Sequence, residues 1–270
     1  MILIFGLNTS RNKQEENMTK IYHLDSGPMK PYWPKITGVT YVLLVETNQG
    51  WLLVDSGFGT QDFLHPSFFM KWFLKLLRVP NDPSFCVVNQ ISKYGLKTED
   101  INHIVLTHLH LDHAGGLPDF PNAQVHLDRK EWDAAKNRRG LLGLACLPYH
   151  WAHQPNWQLY ENADTNWFGF PAIRLNGITP EILLIPTPGH TLGHCMVVIK
   201  TDQGWLLNCG DACYPFYLSE SEQYISPPQK LVQLILGNHQ PKIADLLKKH
   251  GDEIEILTSH DPVTWAKHQK

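Results

Sequence analysis

Between residues 107 and 113 the chain reads Thr107-His108-Leu109-His110-Leu111-Asp112-His113. Two imidazoles and a carboxylate follow one another at spacings of two, and a further imidazole comes directly after. On a surface helix these side chains would scatter over every face, whereas on a loop leaving a strand end they can converge on one point. Neutral imidazole and carboxylate are the donors that zinc and similar divalent ions take. Gly115-Gly116 then lets the backbone turn closely around such a cluster. Three more donors stand at the same kind of address, just past a short apolar run. His190 follows residues 182–187 in Pro188-Gly189-His190, Asp211 follows residues 205–208 in Cys209-Gly210-Asp211, and His260 follows residues 253–258 in Ser259-His260. The candidate ligands are therefore His108, His110, Asp112, His113, His190, Asp211 and His260. Seven donors exceed the four positions of one tetrahedral ion. They suit two divalent ions that share a carboxylate and a water.

The elements that must position these donors are legible as short β-branched or leucine-rich runs. Residues 39–46 and 50–55 read as a hairpin around Thr47-Asn48-Gln49, and residues 103–107, 124–127, 182–187, 194–200, 205–208 and 253–258 as further strands. Asp128 with Glu131 three residues on predicts a capping box, with Gly140 closing that helix. Residues 229–236 and 241–250 carry helical periodicity, and Gly251 stops the second. Strands in both halves with helices between them predict sheets packed together and covered outside by helices.

Composition bounds the reading. With 270 residues, 43% apolar and 11% aromatic, the chain can bury a large core and is not disordered. A net charge of −3 lacks the basic footprint of a nucleic-acid binder. The longest greasy stretch, 63–77, is broken by His65, Pro66, Lys71 and Lys75, so no transmembrane segment is expected. Five cysteines without a CxxC pair predict free, buried thiols and a cytoplasmic location. No Gly-x-Ser-x-Gly elbow and no phosphate-binding glycine loop is present. Residues 1–17 read as an N-terminal extension ahead of Met18, and residues 18–270 as one domain.

At its histidines the sequence resembles the metallo-β-lactamase-fold superfamily, from about Ile21 to His260. The resemblance implies an α/β fold, an αββα sandwich of two mixed β-sheets with helices on the outer faces. It implies that His108, His110 and His190 hold one metal, that Asp112, His113 and His260 hold the second, and that Asp211 bridges them. Asp55, in Trp51-Leu52-Leu53-Val54-Asp55-Ser56-Gly57, matches an early structural aspartate of the family, and His194 a position that supports its loop. The pattern departs from β-lactamases with a cysteine ligand and from flavodiiron proteins, which need glutamate where His110 stands. Glyoxalase II-like thioesterases share all seven ligands. Tyr214, in Gly210-Asp211-Ala212-Cys213-Tyr214, is similar to the N-acyl-homoserine lactonase branch, where that tyrosine faces the substrate carbonyl. The implied activity is opening of a lactone such as an N-acyl-homoserine lactone by a hydroxide bridging two ions. Tyr214 would stabilise the oxyanion and Asp112 would carry a proton to the leaving oxygen. Zinc is the expected metal, with iron, manganese or cobalt also compatible with the donors.

Two further stretches bear on the substrate, expected to be a small molecule with an apolar acyl portion. Residues 66–78 read as an amphipathic helix with Lys71, Lys75 and Arg78 on one stripe. Its broad apolar face is expected to serve core packing or a homodimer interface, or else an acyl-chain lip or membrane contact. Tyr149, Trp151, Trp157, Tyr160, Trp167 and Phe168 form an aromatic cluster between the first and second ligand groups, expected to shape a substrate pocket. The rival readings are a thioesterase or phosphodiesterase on the same metal pair, and a non-catalytic scaffold.

Overall fold

A computed structural model describes residues 19–32, 37–138, 143–213 and 239–269. Twelve strands form two six-stranded sheets, ordered β1-β2-β3-β4-β5-β6 and β12-β11-β10-β9-β8-β7. The first holds β1 (Ile21–Asp25), β2 (Tyr41–Thr47), β3 (Gly50–Val54), β4 (Ile101–Val105), β5 (Gln124–Asp128) and β6 (Asn156–Tyr160). The second holds β7 (Thr165–Trp167), β8 (Phe170–Arg174), β9 (Ile182–Pro186), β10 (Cys195–Thr201), β11 (Gly204–Asn208) and β12 (Ile254–Leu257). Both are mixed: β3 to β6 run parallel, as do β11 and β12, and the other pairs are antiparallel.

Strand periodicity explains the layering. In β2, Tyr41, Leu43 and Val45 meet Val197, Ile199 and Leu184 of the opposite sheet, forming the core between the two sheets. Val42 and Leu44 point the other way, into a core completed by Val87 and Ile91 of the outer helical segments. In β10, Met196 and Val198 turn outward onto Ile243 and Leu246 of the helix Gln240–His250. Because both sheet faces are covered, these strands read as continuous apolar runs. The expected αββα sandwich is the observed one. Among the described residues no helix is long and apolar enough to cross a membrane.

Direction matters for the site. Two antiparallel steps, β9 to β10 and β10 to β11, make β9, β11 and β12 point the same way. Their C-terminal loops, which carry His190, Asp211 and His260, therefore open at one end of the sheet. The loop after β4 and the start of β2 join them through cross-sheet bonds, Cys195 N to Thr107 O at 2.9 Å and Tyr41 N to Ser259 O at 3.0 Å.

The structure departs from the sequence reading in several places. The hairpin loop is the two residues Asn48 and Gln49, since Thr47 and Gly50 already pair. Of the aromatic cluster Tyr149, Trp151, Trp157, Tyr160, Trp167 and Phe168, expected to shape a substrate pocket, Trp157 and Tyr160 stand on β6 and Trp167 on β7. Trp157 packs on Trp132 at 4.8 Å and Trp167 on Trp205 at 5.9 Å, so these rings close the outer cores. The helix expected over 229–236, Gly140 and the extension 1–17 lie outside the described residues.

Candidate metal centre

The seven candidate donors meet at the open end of the sandwich. Three triads each place one donor atom per residue within 4.8 Å of the others: His108, His110 and His190; His108, His113 and Asp211; and Asp112, His113 and His260. All seven appear in at least one triad, and the triads share His108 and His113. Asp211 lies between the two ends. Its Oδ2 is 3.4 Å from His190 Nε2, while Oδ1 is 3.3 Å from His260 Nε2 and 3.6 Å from His113 Nε2.

Ring orientation is set by what each second nitrogen touches. His108 Nδ1 lies 3.0 Å from Thr107 Oγ1, His113 Nδ1 2.8 Å from Asp55 Oδ2, and His260 Nδ1 donates to Val39 O at 2.8 Å. Each anchored Nδ1 turns the opposite nitrogen, Nε2, inward. Such anchoring is how proteins fix the tautomer and direction of metal-binding imidazoles. His108 Nε2 and His113 Nε2 are buried without a hydrogen-bond partner among the described residues. A buried ring nitrogen without a partner is costly, and divalent cations held within the cluster would supply the partner each of these two atoms lacks. The residues present thus fit a divalent metal.

The electrostatics agree with that fit. Burial, followed by the neighbouring imidazoles, holds His108 well below the usual histidine range; His110 is lowered in the same way. Burial also lowers His190. These rings are kept neutral, the form that donates a lone pair to a metal. Burial works against charging His113, but Asp55, Asp112 and Asp211 outweigh it and raise the ring to about 10. His260 is raised to about 8 against its burial, chiefly by Asp211. Both rings hold a proton that an incoming cation would replace. Burial disfavours the charged form of Asp211, yet His260, His113 and His190 hold its carboxyl well below the ordinary carboxylate range.

Two expected supporting residues sit behind the donors. Asp55 is fully buried and takes a left-handed backbone conformation at φ 59°. Its Oδ1 accepts from Thr107 N at 2.8 Å while Oδ2 faces His113. His194 is also fully buried. Its Nε2 accepts from Asp211 N at 3.1 Å, which leaves Nδ1 to donate to Thr187 Oγ1 at 3.0 Å. Gly210 makes this close approach possible, because a Cβ there would lie 2.7 Å from His194 Nε2. Cys209 and Cys213 are buried in the outer core of the second sheet. Tyr214 lies outside the described residues.

Glu131 is a contributor that the sequence reading missed. Asp128 does cap the helix Arg129–Lys136, accepting from Lys130 N at 2.6 Å, but Glu131 does not fold back to complete the box. Instead its buried carboxylate reaches two ligand loops at once. Oε1 accepts from Leu109 N at 2.9 Å and Oε2 from Gly193 N at 3.1 Å. Gly193 is required there, since a Cβ would fall 2.0 Å from Glu131 N. One side chain thereby ties the loop of His108 and His110 to the loop of His190. Glu131→Ala strands two buried N–H groups, each costing about 1–3 kcal/mol. It should lower both the unfolding free energy and zinc retention on dialysis; unchanged retention would show that the loops hold their spacing without it.

The family model of the metallo-beta-lactamase superfamily matches residues 36–257, and the chain belongs to that superfamily. Within it the chain is a metallo-hydrolase. It is 34% identical over 256 residues to a "Probable metallo-hydrolase" of Mycobacterium tuberculosis, covering 90% of this chain and 80% of the relative. It is 28% identical over 204 residues to an N-acyl homoserine lactonase of Bacillus cereus, covering 72% and 75%. Among solved structures it resembles an N-acyl homoserine lactone hydrolase with the product N-hexanoyl-L-homoserine at its catalytic metal center. The TM-score is 0.67 at 20% identity, covering 93% of this chain and 96% of that one. At that identity the likeness speaks for the fold.

Proposed function

We propose that the protein opens lactone rings, with N-acyl-homoserine lactones as the substrate class, on a pair of divalent cations held by the seven donors. The observation that carries this reading is the set of three triads overlapping through His108 and His113, in a chain whose relatives include a named lactonase. His108, His110 and His190 would hold one ion, Asp112, His113 and His260 the other, with Asp211 between them. Zinc is the expected metal, and iron, manganese and cobalt suit the same donors. When bound, such ions polarise a carbonyl and bring the pKa of water from about 15.7 to about 7.

The chain's own residues supply the rest. The anchored rings hold their geometry before substrate arrives, so little reorganisation accompanies the reaction. Asp112 has a side chain 12% exposed, with Oδ2 3.6 Å from His260 Nε2. It stands at the edge of the cluster, able to pass a proton to the alkoxide oxygen released when the ring opens. Tyr214, three residues past Asp211 in sequence, would donate its hydroxyl to the developing oxyanion. The five cysteines are free and buried, which suits a reducing, cytoplasmic setting.

Two measurements test the reading. A hydrolysis panel on metal-loaded protein should favour acyl-homoserine lactones over S-lactoylglutathione, a cephalosporin and a phosphodiester; preference for the thioester would move the assignment to a thioesterase. Tyr214→Phe should slow ring opening by about 10²–10³-fold, the loss typical of one oxyanion donor, with metal content unchanged. An unaltered rate would place the hydroxyl outside the reaction.

A further inference from the structure

Helix α2 (Phe68–Leu77) is only half accounted for by the fold. Met70 and Leu74 are buried, and with Phe69, Phe73 and Leu77 they pack against Phe58 and Leu111, the residue between His110 and Asp112. The other side is turned to solvent with large apolar side chains: Phe68 is 89% exposed, Trp72 54% and Leu76 44%. These recur every fourth residue and so form one stripe. Leu64, 62% exposed at the end of α1 (Thr60–Leu64), stands four residues ahead of Phe68 in sequence. Alongside the stripe Lys71, Lys75 and Arg78 are exposed, and Arg78 lies 4.9 Å over the ring of the exposed Tyr32. Exposed Lys30 joins them, its backbone N–H donating to Leu77 O at 2.8 Å. The helix contains no acid, and Asp82 is the first acid beyond it in sequence, in a chain whose net charge is −3.

Charge decides between occupants of this face. A two-fold pairing with a second copy would set like charges opposite one another, with no acid in the helix to meet them. An acyl chain bound at the metal centre would reach the helix from the Leu111 side, where Met70 and Leu74 already pack. An apolar stripe flanked by cations matches the boundary layer of a negatively charged bilayer, where apolar side chains enter among the headgroups and cations meet lipid phosphates. We propose that α2 seats the protein on an anionic lipid surface. Phe68, Trp72, Leu76 and Leu64 insert, and Lys71, Lys75 and Arg78 contact the phosphates.

The test is sedimentation of the full chain with vesicles, independent of any enzymatic activity. Binding to phosphatidylcholine vesicles containing phosphatidylglycerol is expected, with weak binding to phosphatidylcholine alone and release by salt. Each Lys or Arg near such a surface is worth about fivefold in partitioning, so Lys71→Gln with Lys75→Gln should weaken binding about 25-fold. Phe68→Ser with Trp72→Ser should reduce it further, while both variants keep the parent's melting transition. Equal binding to neutral and anionic vesicles, binding to neither, or full binding by the serine variant would each overturn the proposal. So would a dimer in light scattering that Phe68→Ser converts to monomer, because a second copy would then occupy the face. Salt release of the unmodified chain keeps the test decisive should a variant fail to fold.

Discussion

Asp211→Asn is expected to cut metal-dependent hydrolysis by more than about 100-fold while leaving the circular dichroism spectrum unchanged. Changing a residue behind the ligands of a metal centre typically costs about 10–100-fold, and Asp211 stands at the centre rather than behind it. Its two oxygens face opposite sets of rings, His190 on one side and His260 with His113 on the other. An amide offers one oxygen and no charge, and its NH2 group would face either an imidazole nitrogen or a cation. The fold does not depend on that carboxylate, because the Asp211 backbone is held through His194 by its N–H. Steady-state rates with zinc in excess check the loss. A variant within tenfold of the parent would remove Asp211 from the shared position.

Asp55→Ala should act differently, striking the fold and the site together. The carboxylate is fully buried, pairs with His113 Nδ1 at 2.8 Å and accepts from Thr107 N and Thr107 Oγ1. Removing one partner of a buried pair costs about 3–5 kcal/mol, a large share of the roughly 5–15 kcal/mol that stabilises a domain. His113 would also lose the contact that aims Nε2 inward, so zinc affinity should fall with stability. Denaturant unfolding of the metal-free and zinc-loaded variant separates the two effects. An unfolding midpoint equal to the parent's would show that Asp55 carries neither.

What was legible in the sequence tracks how local the signal is. The convergence of the seven candidate donors could be read because each follows an apolar run within a few residues, so strand and candidate donor announce one another. The two sheets were readable from runs such as Tyr41–Thr47 and Cys195–Thr201, apolar on both faces because each face packs against another layer. Strands β6 to β8 were not, because they interleave aromatic with polar residues, with Gly169 at the turn between β7 and β8 and Pro171 inside β8, in place of a β-branched run. Their rings pack on partners as distant in sequence as Trp205, a pairing that no local window contains. Glu131 was hidden for a related reason. Its position three residues after Asp128 predicts a helix cap, and only the fold brings Leu109 and Gly193 within reach of its oxygens.

The paired centre is tested most directly by counting metal. Protein stripped with a chelator, reloaded with zinc and dialysed would be measured by inductively coupled plasma mass spectrometry against protein concentration, in parallel with His260→Ala. Two zinc ions per chain, falling to about one when His260 is removed, is the predicted result. A single ion per chain in the unmodified protein, or none, would contradict a centre built on two.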